Sequence, residues 1–463
     1  MALQEATTVE PEICRDSMEV GPFLEDLFDG FDEAHIEYCV ERNYVGLPSD
    51  LRRHDLDILI RKESINKAST IISATADKHQ GRIIGQGWKT DDLKWLICAG
   101  TSASGKKWGV RIDLKPCIRW CGVDYESLDD ALATAVWYGK IRVQETDRAA
   151  FFALLDNVLW GLHHSINNYG AKVIAAYQSS PKKIEQLAKE AFGSQGHLLT
   201  EIFRTGRLDE LDSVLPKLRR ALVVREIRKQ PVVFLKNKIL VYLNYAHRLV
   251  KRIGICVAVL GLDGSGKSTL CDLVRHDIGL LCHAHTNYFF YRPGFLPSLA
   301  KLLGREKEQS GPVTNPHRTP PSGTFLSIVR LAYYTLDFFL GYWVLVYPKM
   351  FRNPRIIFFD RYFYDYFWDP VRSRVDAPQW LVHFFGWFVP RPDLLVMITP
   401  HPEVFYQRKP ELPLDELKRQ AKEFYKFARN QKNLVWVGTS GDIETSRKVF
   451  CDAVLEAIER QLK

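Results

Sequence analysis

The chain lacks the cysteine pattern of a secreted or zinc-binding protein. Its nine cysteines are odd in number and scattered, which argues against a disulfide framework and favours reduced thiols. Cys117 and Cys121 lie close together, but no second Cys or His pair stands near them, so we expect no zinc site. The N-terminal residues are acidic and polar, so we expect no signal peptide and a cytoplasmic protein.

A strong charge of either sign is also absent. The formal net charge is +8 at pH 7 and the isoelectric point is near 8.9. This mild and dispersed excess suits a phosphate-bearing ligand or an anionic membrane surface. It is too small to indicate DNA binding, so no nucleic-acid partner is expected. The length of 463 residues predicts two or three domains.

The most informative motif that is present reads Gly-Leu-Asp-Gly-Ser-Gly-Lys-Ser-Thr, at residues 261–269. It matches G-x-x-x-x-G-K-[ST], in which glycines let successive backbone N–H groups face a triphosphate. Lys267 would reach the β- and γ-phosphates, and the Ser268 hydroxyl would ligate Mg²⁺. The apolar run 255–260 is typical of a buried strand, and the residues after the motif are typical of a helix. The predicted ATP-binding residues are Gly261, Leu262, Asp263, Gly264, Ser265, Gly266, Lys267, Ser268 and Thr269.

Charged residues further along the chain are suited to a phosphotransfer site. Asp360 follows an apolar run, where an acid holds the metal through water or helps to position the acceptor. Arg361 could grip an acceptor's phosphate, and Arg292 also stands where an acceptor-binding arginine would fit. Arg408 and Lys409 could close over the phosphates as a lid. The alternative for each of these residues is a solvated surface charge.

Together these motifs resemble the thymidylate kinase family, over about residues 253–460. The matching residues are 261–269, Arg292-Pro293-Gly294, Asp360-Arg361-Tyr362, Pro392-Asp393-Leu394-Leu395 and Pro402-Glu403-Val404. The resemblance implies a nucleoside-monophosphate-kinase-like fold that uses ATP and Mg²⁺. It also implies that Asp263 lies near the acceptor's sugar and that Arg361 contacts the acceptor's phosphate. The chain has no guanine-reading Asn/Thr-Lys-x-Asp motif and no Leu-Ser-Gly-Gly-Gln signature, which argues against a GTPase and a transporter ATPase.

The region where the acceptor should bind differs from that family. Of a fuller Arg-Glu-Pro-Gly-Gly element only Arg292-Pro293-Gly294 is visible, and the aromatic segment Leu331–Tyr347 and the loop Pro312–Ser322 are foreign to it. The chain is more similar to the thymidylate-kinase-like proteins of bacterial polysaccharide gene clusters. For those proteins, dTMP is an acceptor taken over from the family name and not an established one. We expect phosphate transfer from ATP to a nucleoside monophosphate, with dTMP as a candidate. The alternatives are a sugar or glycan kinase of bacterial surface polysaccharide biosynthesis and a non-catalytic nucleotide-binding regulator.

A second cluster of acids is predicted near the N-terminus. Asp55 and Asp57 share one face of the strand 56–60, and Asp113 belongs to a strand that could run alongside. Three such acids could hold two Mg²⁺ ions. With the loop 42–48, this region resembles the nucleotidyltransferase superfamily, in which such a triad binds metal and triphosphate. The alternative is a degenerate domain whose acids are solvated strand ends.

The pattern of apolar runs predicts the domain organisation. We expect a loose N-terminus at 1–20, an α+β nucleotidyltransferase-like domain at 21–147, a helical bridge at 148–250 and an α/β P-loop kinase domain at 251–463. The kinase domain should contain a parallel sheet with helices on both faces. The predicted strands are 38–40, 56–60, 95–98, 110–114, 255–260, 356–359, 394–398 and 434–437.

The aromatic segment Leu331–Tyr347 holds a single charge, Asp337. It is short for a membrane span, so we interpret it as a buried helix that lines the acceptor site with Asp337 facing the pocket. The alternative joins it to Trp380–Phe388 in an apolar surface that touches the inner membrane leaflet or a lipid-linked glycan. The expected partner is a small-molecule or glycan acceptor, and peripheral membrane contact and a homodimer are left open.

Overall fold

The computed structural model describes an α/β protein of two compact units, which divide after residue 250. The predicted loop Pro312–Ser322, and the predicted loose N-terminus apart from Val20, lie outside the described residues. The described residues are 20–49, 51, 55–90, 92–102, 106–162, 165–250, 252–282, 285–297, 299, 323–352 and 355–462.

The N-terminal unit contains nine strands and nine helices among the described residues. The strands are β1 (Tyr38–Val40), β2 (Leu56–Ile60), β3 (Gly81–Thr90), β4 (Leu93–Thr101), β5 (Lys107–Lys115), β6 (Ile118–Trp120), β7 (Val123–Glu126), β8 (Val136–Tyr138) and β9 (Ile141–Val143). The helices are α1 (Gly21–Glu33), α2 (Ile65–Lys78), α3 (Leu128–Ala133), α4 (Thr146–Leu159), α5 (Ser165–Ser179), α6 (Pro181–Phe192), α7 (His197–Thr205), α8 (Leu211–Lys229) and α9 (Pro231–Val250).

Seven of these strands form a mixed sheet in the order β3-β4-β5-β2-β1-β9-β8, and β6 pairs with β7 alone. The central strand β2 is parallel to β5 and buried along its whole length. One hydrophobic core combines residues of the hairpin β6–β7, such as Val123, with residues of helices α4 to α8, such as Phe151 and Leu222. Most of the segment predicted as a helical bridge thus packs within the N-terminal unit.

The C-terminal unit contains five strands and seven helices among the described residues. The strands are β10 (Ile255–Leu260), β11 (His285–Phe290), β12 (Arg355–Asp360), β13 (Leu394–Ile398) and β14 (Leu434–Val437). The helices are α10 (Lys267–Cys282), α11 (Thr324–Gly341), α12 (Lys349–Arg352), α13 (Gln379–Gly386), α14 (Pro402–Arg408), α15 (Leu414–Ala428) and α16 (Ile443–Leu462). A π-helical turn, Tyr342–Val346, continues α11.

The five strands form a fully parallel sheet in the order β11-β12-β10-β13-β14. Strands β10 and β13 are buried at every position, as expected of parallel strands covered on both faces. The first strand, β10, lies in the centre, so the chain builds the sheet outward on one side and later on the other. In such sheets the crevice beyond the carboxyl ends, where the strand order reverses, is the usual ligand site.

Candidate functional site

The glycine-rich loop, residues 261–266, joins the carboxyl end of β10 to the start of α10. Gly264 and Gly266 have φ angles of 77° and 78°, a region that residues with a Cβ atom seldom adopt. A Cβ atom on Gly264 would also lie 2.9 Å from the carbonyl oxygen of Phe405 and 3.5 Å from Cβ of Lys409. The end of α14 therefore packs directly against this loop.

Lys267, the first residue of α10, folds back over the loop. Its Nζ donates to the carbonyl oxygen of Leu262 at 2.7 Å and to Oγ of Ser265 at 3.3 Å. Burial and the positive charge of Arg361 lower the pKa of Lys267 to about 8, although nearby carboxylates oppose the shift. The ammonium group thus lies in a site that lacks enough negative charge to balance it, and an anion bound there would supply that charge.

Asp360, the last residue of β12, lies fully buried beside β10, with Val259 as its register partner. Its Oδ2 accepts hydrogen bonds from Oγ of Ser268 at 2.5 Å and from the hydroxyl of Tyr288 at 2.9 Å. Its Oδ1 is buried and has no hydrogen-bond partner among the described residues. Such an orphaned carboxylate oxygen is costly unless a ligand, an ion or water satisfies it. Sequence reasoning missed Tyr288, which lies inside strand β11, a strand that begins with the polar residues His285, Thr286 and Asn287.

Arg361 has a φ angle of 74°, and its backbone N–H donates to the carbonyl oxygen of Val259 at 3.0 Å. Its Nη1 donates to Asp365 at 2.7 Å, and its Nη2 donates to Asp263 in the glycine-rich loop. Arg372 donates to the other oxygen of Asp263. Burial alone would raise the pKa of Asp263, but Arg361, Lys267 and Arg372 lower it below its usual range.

The structure therefore brings together the four predicted catalytic residues Asp263, Lys267, Asp360 and Arg361. It adds Asp365 and Arg372, which sequence reasoning missed. The signal for Asp365 was its position four residues after Arg361, and that for Arg372 was the basic Arg-Ser-Arg stretch 372–374 after the Asp-Arg-Tyr element.

The predicted acceptor arginine, Arg292, is tied to α11. Its Nη1 donates to Oδ2 of Asp337 at 3.0 Å, and its guanidinium lies 5.1 Å from the ring centre of Tyr334. Asp337 is fully buried and also accepts from the backbone N–H groups of Gly294 at 3.3 Å and Leu296 at 2.6 Å. Asp337 thus fixes the Arg292-Pro293-Gly294 element.

The two predicted lid residues lie at the end of α14, beside the glycine-rich loop. Both are exposed. Arg408 donates to the carbonyl oxygen of Thr439 at 2.7 Å, and Lys409 pairs with Glu411 at 2.7 Å. Closure of these residues over a ligand stays a prediction.

The three predicted N-terminal acids lie close together, but cations of the chain already neutralise them. Asp57 and Asp113 are register partners on β2 and β5. Asp113 accepts from Nε of Arg111 at 2.9 Å, and Asp55 lies 3.6 Å from the same atom. Burial raises the pKa of Asp113. Within the described ranges, no group of three or more His, Cys, Asp or Glu side chains could hold a metal ion.

Asp57 is the centre of this ion-pair cluster. It accepts from Nε of Arg42 at 2.9 Å and lies 2.9 Å from Nζ of Lys115. Burial would raise its pKa, but Arg42 and Lys115 lower that pKa below its usual range. Lys115 also donates to Glu41 at 2.5 Å, and Arg42 also donates to Asp156 of α4 at 3.2 Å. Binding of Mg²⁺ by the three acids stays a prediction, and it would require these pairs to open.

The glycine-rich loop and the residues around it are therefore the strongest candidate site in the described part of the chain. No protein-family model matches the sequence, and no curated protein matches it.

Proposed function

We propose that the C-terminal unit is an ATP-dependent phosphotransferase that moves the γ-phosphate of ATP to a small acceptor. The observation that carries this proposal is the carboxylate of Asp360. One of its oxygens accepts a hydrogen bond from the Ser268 hydroxyl, directly after the glycine-rich loop, and the other is buried without a hydrogen-bond partner in the described part of the chain. A buried acid beside the hydroxyl that follows a phosphate-binding loop is the arrangement with which P-loop enzymes hold the metal ion of a bound nucleotide.

The same residues fit Mg²⁺. The Ser268 hydroxyl and the unpaired oxygen of Asp360 would hold the ion, directly or through water. Since Mg²⁺ keeps several waters and takes further ligands from the substrate's phosphates, two protein groups are sufficient. When bound, Mg²⁺ neutralises the charge of the phosphate oxygens.

The loop and Lys267 would bind the triphosphate of ATP. The start of α10 offers unsatisfied backbone N–H groups and the positive end of the helix dipole. Lys267 would exchange the Leu262 carbonyl oxygen for phosphate oxygens, which bear more negative charge. The added negative charge would offset the burial and the charge of Arg361, which lower the pKa of Lys267.

The acceptor would lie on the side of Asp263, Arg361 and Arg372. Arg361 is held between Asp263 and Asp365, so its charge is fixed before any ligand binds, and such preorganised charge favours phosphoryl transfer. Arg292, locked by Asp337, follows Tyr291, whose backbone N–H donates to the carbonyl oxygen of Asp360 at 2.9 Å. These arginines suit an acceptor that itself carries phosphate, and this favours a nucleoside monophosphate over a neutral sugar.

The decisive experiment measures ADP release with ATP, Mg²⁺ and a panel of nucleoside monophosphates and sugars. Release with a nucleoside monophosphate supports the proposed function. Release with sugars alone supports the sugar or glycan kinase. ATP binding without ADP release for any acceptor supports the nucleotide-binding regulator and contradicts the phosphotransferase.

We expect Arg372→Ala to raise the KM for the acceptor more than it weakens ATP binding. The Arg372 guanidinium is partly exposed and fixes the Asp263 carboxylate, which the proposal places near the acceptor. Arg374→Ala is the matched control, because Arg374 is exposed and close in sequence. Steady-state kinetics with both substrates varied give the two effects separately. An equal loss for ATP and acceptor would place Arg372 on the donor side instead.

The lowered pKa of Lys267 leads to a pH-dependent prediction. At pH 8.5, above the lowered pKa of Lys267, part of the population is neutral in the free protein. The charge of bound ATP would raise this pKa, so binding should take up a fraction of a proton. Calorimetry in two buffers of different ionisation enthalpy measures this uptake, which Lys267→Ala should abolish. If the two proteins take up equal numbers of protons, Lys267 does not contact the phosphates.

The lowered pKa of Lys267 also makes the stability of the free protein depend on pH in a definite direction. The unfolded chain, in which the pKa of lysine is 10.5, binds more protons than the folded chain between about pH 8 and pH 10.5. The contribution of Lys267 to stability should therefore rise with pH in that window.

A further inference from the structure

The C-terminal unit exposes an aromatic face that the proposed site does not use. Its side chains come from α11 with its π-helical turn, and from α13 and the residue that follows it; the two helices contact each other. Each is between 42% and 77% exposed. The aromatic face consists of Phe325, Phe339, Trp343, Trp380, Phe384 and Trp387. Exposed apolar side chains on a folded protein are normal when single, but a group on adjoining helices marks an interaction surface.

The opposite side of α11 belongs to the core. Phe338 is buried, and its ring centre lies 5.0 Å from that of Tyr362. Asp337 is fully buried in its ion pair with Arg292. The stretch Thr324–Val346 is the one helix of the described residues that is long and apolar enough to cross a membrane. Because its buried Asp337 pairs with Arg292 of the same unit, this helix packs against protein on one side and is not surrounded by lipid.

The segments that carry the aromatic face hold mainly positive charges. Residues 323–351 and 376–392 contain the cations Arg330, Lys349 and Arg391. The acids in these ranges are the buried Asp337 and the exposed Asp376. Two copies docked through this face would bring like charges together, which is unfavourable. A surface of anionic lipid complements the excess of positive charge.

We propose that the aromatic face docks on the surface of a membrane that contains anionic phospholipid. Trp343, Trp380 and Trp387 lie at the level of the lipid headgroups, where the amphipathic indole ring is favourable. Arg391, which is exposed, pairs with lipid phosphate. This docking does not depend on the proposed phosphotransferase function, and its test needs no nucleotide.

The test is co-sedimentation of the full-length protein with phosphatidylcholine vesicles, with and without phosphatidylglycerol. The double variant W380S/W387S removes two exposed indoles, and W137S/W160S is the matched control, because Trp137 and Trp160 are exposed in the N-terminal unit. We expect W380S/W387S to lower the partition coefficient at least about tenfold, since each buried indole contributes more than a factor of ten when fully transferred. The control should bind like the wild type. Arg391→Gln should weaken binding only to vesicles that contain phosphatidylglycerol.

Three outcomes would overturn the docking proposal. The first is that the wild-type protein does not sediment with phosphatidylglycerol vesicles. The second is that W137S/W160S loses as much binding as W380S/W387S. The third is a wild-type dimer in sedimentation velocity that becomes a monomer in W380S/W387S, which would assign the face to a second copy of the chain. Lys267→Ala should sediment like the wild type, so failure of the phosphotransferase proposal and failure of the docking proposal are distinguishable.

Discussion

Lys267→Ala is expected to lower ADP release by about 100- to 1,000-fold, the usual cost of removing one preorganised charge from a transition state. Lys267 is the buried cation directly after the glycine-rich loop, and its nearest acceptors are the Leu262 carbonyl oxygen and Ser265 Oγ. The variant should also bind a fluorescent ATP analogue more weakly. Because the ammonium group is buried at a cost in the free protein, its removal should not lower the thermal unfolding midpoint.

The matched control is Lys448→Ala, since Lys448 is an exposed lysine of α16. It should retain full ADP release and ATP affinity. A folded Lys267→Ala variant with unchanged ATP affinity would contradict the assignment of the glycine-rich loop as the ATP site.

Asp57→Asn is expected to destabilise the N-terminal unit by about 3–5 kcal/mol, the cost of removing one partner from a buried ion pair. The substitution leaves Lys115 and Arg42 without the carboxylate that lies 2.9 Å from each of them. In differential scanning calorimetry of the full chain, the midpoint temperature of the N-terminal unit's unfolding transition should fall by about 10 °C. A separate transition of the C-terminal unit should stay in place.

Asp55→Asn is the matched control on the same strand face. The Asp55 carboxylate is more exposed and lies 3.6 Å from Arg111, so its replacement should cost less than about 1 kcal/mol. A metal-binding triad would behave differently. Its acids repel one another without metal, so Asp57→Asn would stabilise the free protein, and Mg²⁺ would raise the wild-type midpoint. Stabilisation by Asp57→Asn together with a higher wild-type midpoint in Mg²⁺ would support the predicted metal site.

The parts of the fold and site that could be predicted depend on residues close together in the sequence. Buried apolar runs predicted strands β10, β12 and β13, and the glycines of the loop with Lys267 predicted the turn between β10 and α10. Strands with weak local signals were missed. β3 contains Gly85 and Gly87, the short strand β8 is exposed throughout, and β11 begins with polar residues.

The remaining features depend on tertiary contacts. The sequence placed Asp57 beside Asp113 in a prediction of metal binding, but it carried no information on which side chains would neutralise them. Lys115 reaches Asp57 only because β2 and β5 are parallel in one register. Arg372 likewise reaches Asp263 from a segment far along the chain, and no spacing rule connects the two positions.

The central position of β10 has a consequence for synthesis of the protein on the ribosome. β10 is the first strand of its sheet to emerge, yet its two neighbours, β12 and β13, begin at Arg355 and Leu394. Until those strands have been made, both edges of the uncharged run Ile255–Leu260 remain available for wrong pairing, and sheets built from such distant contacts form slowly. The nascent C-terminal unit is therefore prone to aggregate during translation, and most of the chain must be complete before the glycine-rich loop acquires its native surroundings.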